Sequence, residues 1–251
     1  MKIAGTTFWI TGASSGIGAA LAEELHLRGG RVAVSARRRE GLEAVSRGRM
    51  HVEPLDITDG SAVQSAVHSV REALGSIDVA ILNAGTWQQV RIDGFDAESF
   101  RKIFDTNVMG TVQCIEALLP TMLVQKRGVI CGMASVAGYR GLPGSEGYGA
   151  SKAALINLLE SLRGSLGPRG VRVQTISPGF VKTDLTARNK FPMPFMIEVD
   201  KAARIIADGI AAEKTEIVFP LPMMLLMKAA RLVPNALWPK LFARTPLARG
   251  K

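Results

Sequence analysis

The sequence predicts the α/β class: a single domain built on a doubly wound parallel sheet. Short β-branched runs alternate with longer stretches of helical period, the pattern of a parallel sheet with helices on both faces. The runs are nearly continuous in apolar residues, as strands buried on both faces must be. A glycine-rich turn joins the first run to the first helical stretch.

The strands expected, in order, are Thr6–Thr11, Arg31–Ala36, Met50–Leu55, Asp78–Asn83, Gly128–Met133, Val171–Ser177 and Glu216–Phe219. Between them, Ile17–Leu27, Ala62–Leu74, Phe100–Leu119, Gly149–Leu166 and Lys201–Ala212 carry apolar residues at i, i+3 and i+4. That spacing gathers them on one face of a helix. At 251 residues the chain fits one such domain with a substantial core. No repeat, low-complexity tract or linker divides it, so residues 1–219 are expected to form one catalytic-type domain, followed by a tail over 220–251.

Two stretches break the alternation. Thr183–Val199 holds Pro192 and Pro194 amid Phe191, Met193, Phe195 and Met196. Prolines this close resist both helix and central strand, which leaves either an apolar lid or a loop packed on the core. The tail after Phe219 is rich in Leu, Met and Pro, with Lys228, Arg231, Lys240, Arg244, Arg249 and Lys251 and no acid. Apolar bulk with exclusively basic charge suits a peripheral contact with an anionic membrane; the competing reading is a wall of a substrate pocket or a subunit contact. Pro222, Pro234 and Pro239 divide the tail into short pieces, so it should lie on a bilayer rather than span one.

Composition narrows the rest. The hydrophobic share is 47% and the net charge +9, but the basic residues form no stripe interleaved with aromatics, so no nucleic-acid partner is expected. Cys114 and Cys131 sit in apolar stretches with no partner at metal-ligand or redox spacing; two buried thiols and no metal site are expected. A strand-like run begins almost at once after Met1 and Lys2, and no uninterrupted apolar stretch is long enough to span a bilayer. A cytoplasmic protein is the expectation.

The turn after the first strand reads Gly12-Ala13-Ser14-Ser15-Gly16-Ile17-Gly18. Glycines there let backbone approach a pyrophosphate, and the helix that follows supplies N–H donors and positive potential. About twenty residues further on, a site for NAD would place an acid at the end of the second strand to hold the ribose 2′-hydroxyl. This chain instead has Arg37 and Arg38. A carboxylate would repel a 2′-phosphate and a guanidinium would grip it, so NADP is expected over NAD.

Tyr148 and Lys152 stand four apart in the strongest helical segment, Tyr148-Gly149-Ala150-Ser151-Lys152, and residues so spaced share a helix face. A phenol near pKa ~10 is a poor acid or base at neutral pH; a nearby ammonium favours phenolate and makes it useful. Upstream, Ser135 follows the strand Gly128–Met133, at the carboxyl edge where open α/β sheets bind ligands.

With these residues assembled, the chain resembles the short-chain dehydrogenase/reductase family, in its compact single-domain branch with a Rossmann-type fold. The resemblance runs from about Thr6 to Thr183, through TGASSGIG (Thr11–Gly18), LDITD around Asp56, LNAG (Leu82–Gly85), DTNVMG around Asn107, MASVAG around Ser135, YGASK (Tyr148–Lys152) and SPGFVKT (Ser177–Thr183). It implies that Asp56 and Ile57 border the adenine, that Asn83, Ala84 and Gly85 line the middle of the cofactor, and that Pro178, Gly179 and Thr183 meet its nicotinamide end. It implies that Tyr148 exchanges a proton with a carbonyl or alcohol oxygen and that Ser135 bonds that oxygen. Lys152 would hold the nicotinamide ribose and depress the phenol's pKa, and Asn107 would anchor a water leading to Lys152. The substrate expected is a small ketone or aldehyde, or the matching alcohol, with apolar character. Relatives commonly form dimers or tetramers through the helices containing Asn107 and Tyr148, so a homo-oligomer is expected. The sequence departs from some NADP-preferring relatives at Ser15, where they carry a basic residue, so cofactor choice rests on Arg37 and Arg38. A non-catalytic cofactor-binding regulator would tolerate loss of the Tyr or Lys, and both stand here. An epimerase or dehydratase of the longer branch needs a larger substrate domain than the residues after Thr183 provide.

Overall fold

A computed structural model describes residues 1–88, 92–187 and 192–242. Of the residues read from sequence, Phe191 in the expected lid and Arg244, Arg249 and Lys251 in the tail lie outside the described residues. The seven strands are β1 (Thr7–Thr11), β2 (Arg31–Ala36), β3 (His51–Pro54), β4 (Val79–Leu82), β5 (Gly128–Met133), β6 (Val171–Pro178) and β7 (Glu216–Phe219). They pair in parallel in the order β3-β2-β1-β4-β5-β6-β7. Strand order reverses between β1 and β4, which opens a crevice at their carboxyl ends.

The helices are α1 (Gly16–Leu27), α2 (Arg39–Ser46), α3 (Gly60–Leu74), α4 (Ala97–Phe104), α5 (Gly110–Gln125), α6 (Glu146–Leu166), α7 (Asp184–Ala187), α8 (Val199–Ala211), α9 (Leu221–Ala230) and α10 (Trp238–Phe242). They cover both faces, because alternate strand residues face opposite ways. Phe8, Ile10, Val32 and Val34 pack with Leu21, Leu25, Ile206 and Ile210 on one side. Trp9, Ala33, Ala80 and Ile130 pack with Val63, Val67, Leu118 and Leu159 on the other. Trp9 can be buried whole because its indole N–H donates to Ser35 Oγ at 2.9 Å.

Two helical readings change. The expected Phe100–Leu119 helix extends over Ala97–Gln125 and is interrupted by a π turn at Asp105–Met109. By length and composition that run could cross a membrane, but here Cys114, Ile115, Leu118 and Met122 pack in the core. The short α2 was not expected, since Leu42 is the one apolar residue it buries and a single contact leaves no period to read.

The tail differs too. Pro220 precedes α9 and Pro222 falls in its first turn, where a missing N–H costs no helical bond. Met223, Met227 and Ala230 of α9 are buried. The two methionines join a third cluster with Ala134, Val136, Tyr139, Leu155 and Ile156. The helix is therefore part of the packed domain and covers the loop that follows β5.

The segment expected as a lid leaves and rejoins the sheet edge at one tether. Val181 pairs with Ile197, Lys182 N–H donates to Ile197 C=O at 3.0 Å, and Ile197 N–H donates to Phe180 C=O at 3.1 Å. Phe195 and Met196 are exposed, while Ile197 packs against the core.

Candidate active site

The glycine turn is sewn to the neighbouring strand. Thr11 Oγ1 accepts the N–H groups of Asn83 and Ala84, both at 3.1 Å. Asn83 Nδ2 donates to the carbonyls of Thr11 and Gly12, both at 3.0 Å. Gly12 has φ +67°, and a Cβ on it would lie 2.6 Å from Ala84 Cα, so only glycine fits between the two strand ends. Gly18 sits equally close to Gly12 and Asn83.

The N-terminus of α1 is left open. Ser15 occupies the capping position in extended conformation without a side-chain cap, and the first turn holds no acid. By contrast, Asp59 and Asp96 each accept backbone N–H bonds at the starts of α3 and α4. Uncapped first-turn amides and a positive helix end suit an anionic group. The donor set therefore fits a pyrophosphate.

The other expected cofactor residues gather along the same edge. Arg37 and Arg38 follow β2; both are exposed, and neither belongs to an ion pair among the described residues. Gly41 of α2 places Ser14 Cβ within 3.1 Å of where its own Cβ would stand, so the arginine-bearing turn lies beside the glycine turn. Asp56 follows β3, which pairs with β2, and its Oδ1 accepts Thr58 N–H at 3.0 Å and Thr58 Oγ1–H at 2.8 Å. Ile57 is buried against Gly110. Thr183 returns from the far edge to set its methyl near Gly16.

Asn107 lies in the π turn and is buried. Its Oδ1 accepts Thr86 N–H at 2.7 Å, and its Nδ2 donates to Thr86 C=O at 3.0 Å and Ser151 Oγ at 3.0 Å. Ser151 Oγ–H in turn donates to Tyr148 C=O at 2.7 Å. One carboxamide thus fixes the loop after β4, at Thr86, against the first turns of α6. A Cβ on Gly85 would lie 3.2 Å from Asn107 Oδ1 and 3.5 Å from Lys152 Nζ, so these three residues meet.

Lys152 is buried and its ammonium donates to Met133 C=O at 2.7 Å. Burial pushes its pKa down to about 8. The ammonium stands 5.6 Å from the centre of the Tyr148 ring. Ser135 Oγ–H donates to Pro178 C=O at 3.3 Å, and the same oxygen accepts Ala137 N–H at 3.2 Å. Pro178 ends β6, and Gly179 N–H donates to Phe219 C=O at 2.7 Å. Burial raises the phenol of Tyr148, and its hydrogen bond with Ser135 works in the lowering direction.

The structure brings Ser135 to Tyr148, Asn107 and Lys152 to Gly85, and Thr183 to Gly16. Sequence reasoning passed over Thr86 and the Met133 carbonyl, whose parts are played by backbone and leave no residue-type signal. Ser151 was visible inside YGASK but had no partner until folding supplied Asn107. Both cysteines are free and buried, with desolvation pushing Cys114 up to about 12 and Cys131 higher still. Among the described residues no cluster of His, Cys, Asp and Glu could hold a metal.

The short chain dehydrogenase family model matches residues 6–192, and the chain belongs to the short-chain dehydrogenase/reductase family. An uncharacterized oxidoreductase of Myxococcus xanthus is 40% identical over 238 residues, covering 92% of this chain and 94% of that one. A short chain dehydrogenase from Burkholderia cenocepacia, solved in complex with NADP, superposes with a TM-score of 0.85 at 28% identity, covering 97% of this chain and 100% of that one. A family member from Burkholderia phymatum, solved in complex with NAD, gives a TM-score of 0.82 at 24% identity, over 91% and 93% of the chains. This protein is an oxidoreductase of that family on a Rossmann-type fold.

Proposed function

We propose that the protein interconverts a ketone or aldehyde with the corresponding alcohol, using NADP(H), and that its substrate is apolar. The observation that carries the reading is the set of buried Ser135 and Lys152 with half-buried Tyr148 at the carboxyl ends of β5 and β6. When bound at the glycine turn, the dinucleotide supplies or takes up hydride. Tyr148 gives its hydroxyl proton to the carbonyl oxygen in reduction and takes one back in oxidation. Ser135 Oγ–H turns from the Pro178 carbonyl to donate to that oxygen. Lys152, free to release its bond to Met133, holds the nicotinamide ribose and steadies the phenolate once it forms. Asn107 anchors a water that passes protons to Lys152, which its closeness to Lys152 across Gly85 supports.

The choice of NADP rests on this chain's own residues, since solved family members include complexes of both nucleotides. No acid follows β2; Arg37 and Arg38 do. The exposed Phe195 and Met196 at the lid and Met223 of α9 beside Gly179 favour an apolar substrate. Purified protein, NADPH and a panel of ketones and aldehydes test the reading through loss of reduced-cofactor absorbance. Turnover that stops in the Tyr148→Phe variant is the expected result. Tight NADPH binding without turnover of any carbonyl or alcohol would overturn it in favour of a regulator.

A further inference from the structure

The helix that covers the Ser135 loop leaves its other side bare. While Met223 and Met227 turn inward, Leu221, Leu225, Leu226 and Leu232 are 61%, 58%, 53% and 85% exposed. Leu221 and Leu225 stand one helical turn apart, and residues so spaced form a stripe; Leu226 widens it. The next segment adds exposed Leu237 and Leu241.

This apolar surface is carried on a firm base. Glu216 Oε1 accepts the Tyr139 hydroxyl at 2.5 Å and its Oε2 accepts Lys228 Nζ at 2.6 Å. Arg140 Nη2 donates to Val233 C=O at 3.0 Å, and Trp238 Nε1 donates to Gly141 C=O at 2.6 Å. The leucines are therefore presented outward by a seated element. In sequence the tail that carries them is one-signed: from Pro220 to Lys251 there are Lys228, Arg231, Lys240, Arg244, Arg249 and Lys251 and no acid. Lys228 is neutralised by Glu216, but Arg231 and Lys240 form no ion pair among the described residues.

We infer that this face docks on the surface of an anionic bilayer. Charge selects the occupant. In a symmetric pair the same patch meets itself, which would set two acid-free basic segments against each other. Anionic headgroups attract those charges while the leucines enter the headgroup–acyl boundary. At ten residues, α9 is far too short to span a bilayer, so the contact is peripheral. None of the leucines belongs to the catalytic set, so the inference stands apart from the proposed reaction.

The test uses the full chain, because ending it at Phe219 would remove Met223 and Met227 from the core. Flotation is measured with vesicles of phosphatidylcholine alone and with phosphatidylglycerol added. Wild type is expected to float with the anionic vesicles at low salt, less at high salt, and not with phosphatidylcholine alone. Leu225→Glu/Leu226→Glu, and separately Leu232→Glu, should bind about tenfold more weakly or worse with unchanged melting temperature. Wild type that does not float, or variants that all float equally, would overturn the inference. A wild-type dimer that falls to monomer in these variants, without lipid binding, would assign the face to a second copy instead.

Discussion

The Lys152 ammonium donates to the main-chain carbonyl of Met133 at 2.7 Å, from a position where its side chain is buried. The bond satisfies the amine without a counter-charge, which is why desolvation prevails and holds its pKa down to about 8. Between about pH 8 and the ordinary lysine range near ~10.4, the unfolded chain binds this proton and the folded chain does not. Stability therefore rises with pH across that window. Below it both states are charged and the folded one bears the cost of a buried ammonium.

Lys152→Met removes that cost along with turnover. The stability of the variant relative to wild type should be most favourable near pH ~7 and should decline toward pH ~10. Paired denaturant melts across that range measure it, and a difference that does not move with pH would mean that the amine is not perturbed.

Tyr148→Phe deletes one hydroxyl and no packing volume. A general acid–base group typically contributes about 10²–10⁴-fold, and the Ser135 hydroxyl left behind is far too weak an acid to replace it. Turnover should fall by that factor while NADPH affinity and melting temperature hold. A variant keeping more than about a tenth of wild-type kcat would remove Tyr148 from the reaction.

Arg37→Ala separates the two nucleotides. A charge-assisted hydrogen bond contributes about 1.5–3 kcal/mol, so Kd for NADPH should rise about ten- to a hundredfold. Affinity for NADH should barely change, since Arg37 has no ion pair among the described residues to lose. Titration of both cofactors against wild type and variant checks this, and equal losses would mean that Arg37 supports the loop and not a 2′-phosphate.

Ending the chain at Phe219 should destabilise the domain rather than trim it. Met223 and Met227 fill the cluster around Tyr139 and Leu155, and deleting a buried side chain of that size typically costs about 2–5 kcal/mol. Thermal unfolding compares the two lengths; equal melting temperatures would make α9 an appendage.

Most strands were legible as short, largely apolar runs bounded by turns, though β3, His51-Val52-Glu53-Pro54, is not one of these. All seven expected strands match to within one residue at each end; β3, over His51–Pro54, and β4, over Val79–Leu82, are each one residue shorter at both ends. The glycine turn was legible for the same reason, since its requirement is local backbone. Helix α2 was not, because one buried leucine makes no period. The helix in the tail was not legible: Pro222 looks like a breaker in sequence but falls in the first turn of α9, and only the cluster under the Ser135 loop decides that a helix forms there.

The sequence by itself determined the fold class, the order of the strands along the chain, the open phosphate-type turn and the Tyr148–Lys152 pair, because each is written in neighbouring residues through periodicity, backbone freedom or helical spacing. Tertiary structure alone decided that Asn107 holds Thr86 and Ser151, that Lys152 turns to Met133, and that Ser135 meets both Tyr148 and Pro178. Those groups lie far apart in the chain. They are brought into register by parallel pairing of β4, β5 and β6, and a buried polar group takes whichever partner the packed core leaves within hydrogen-bond reach.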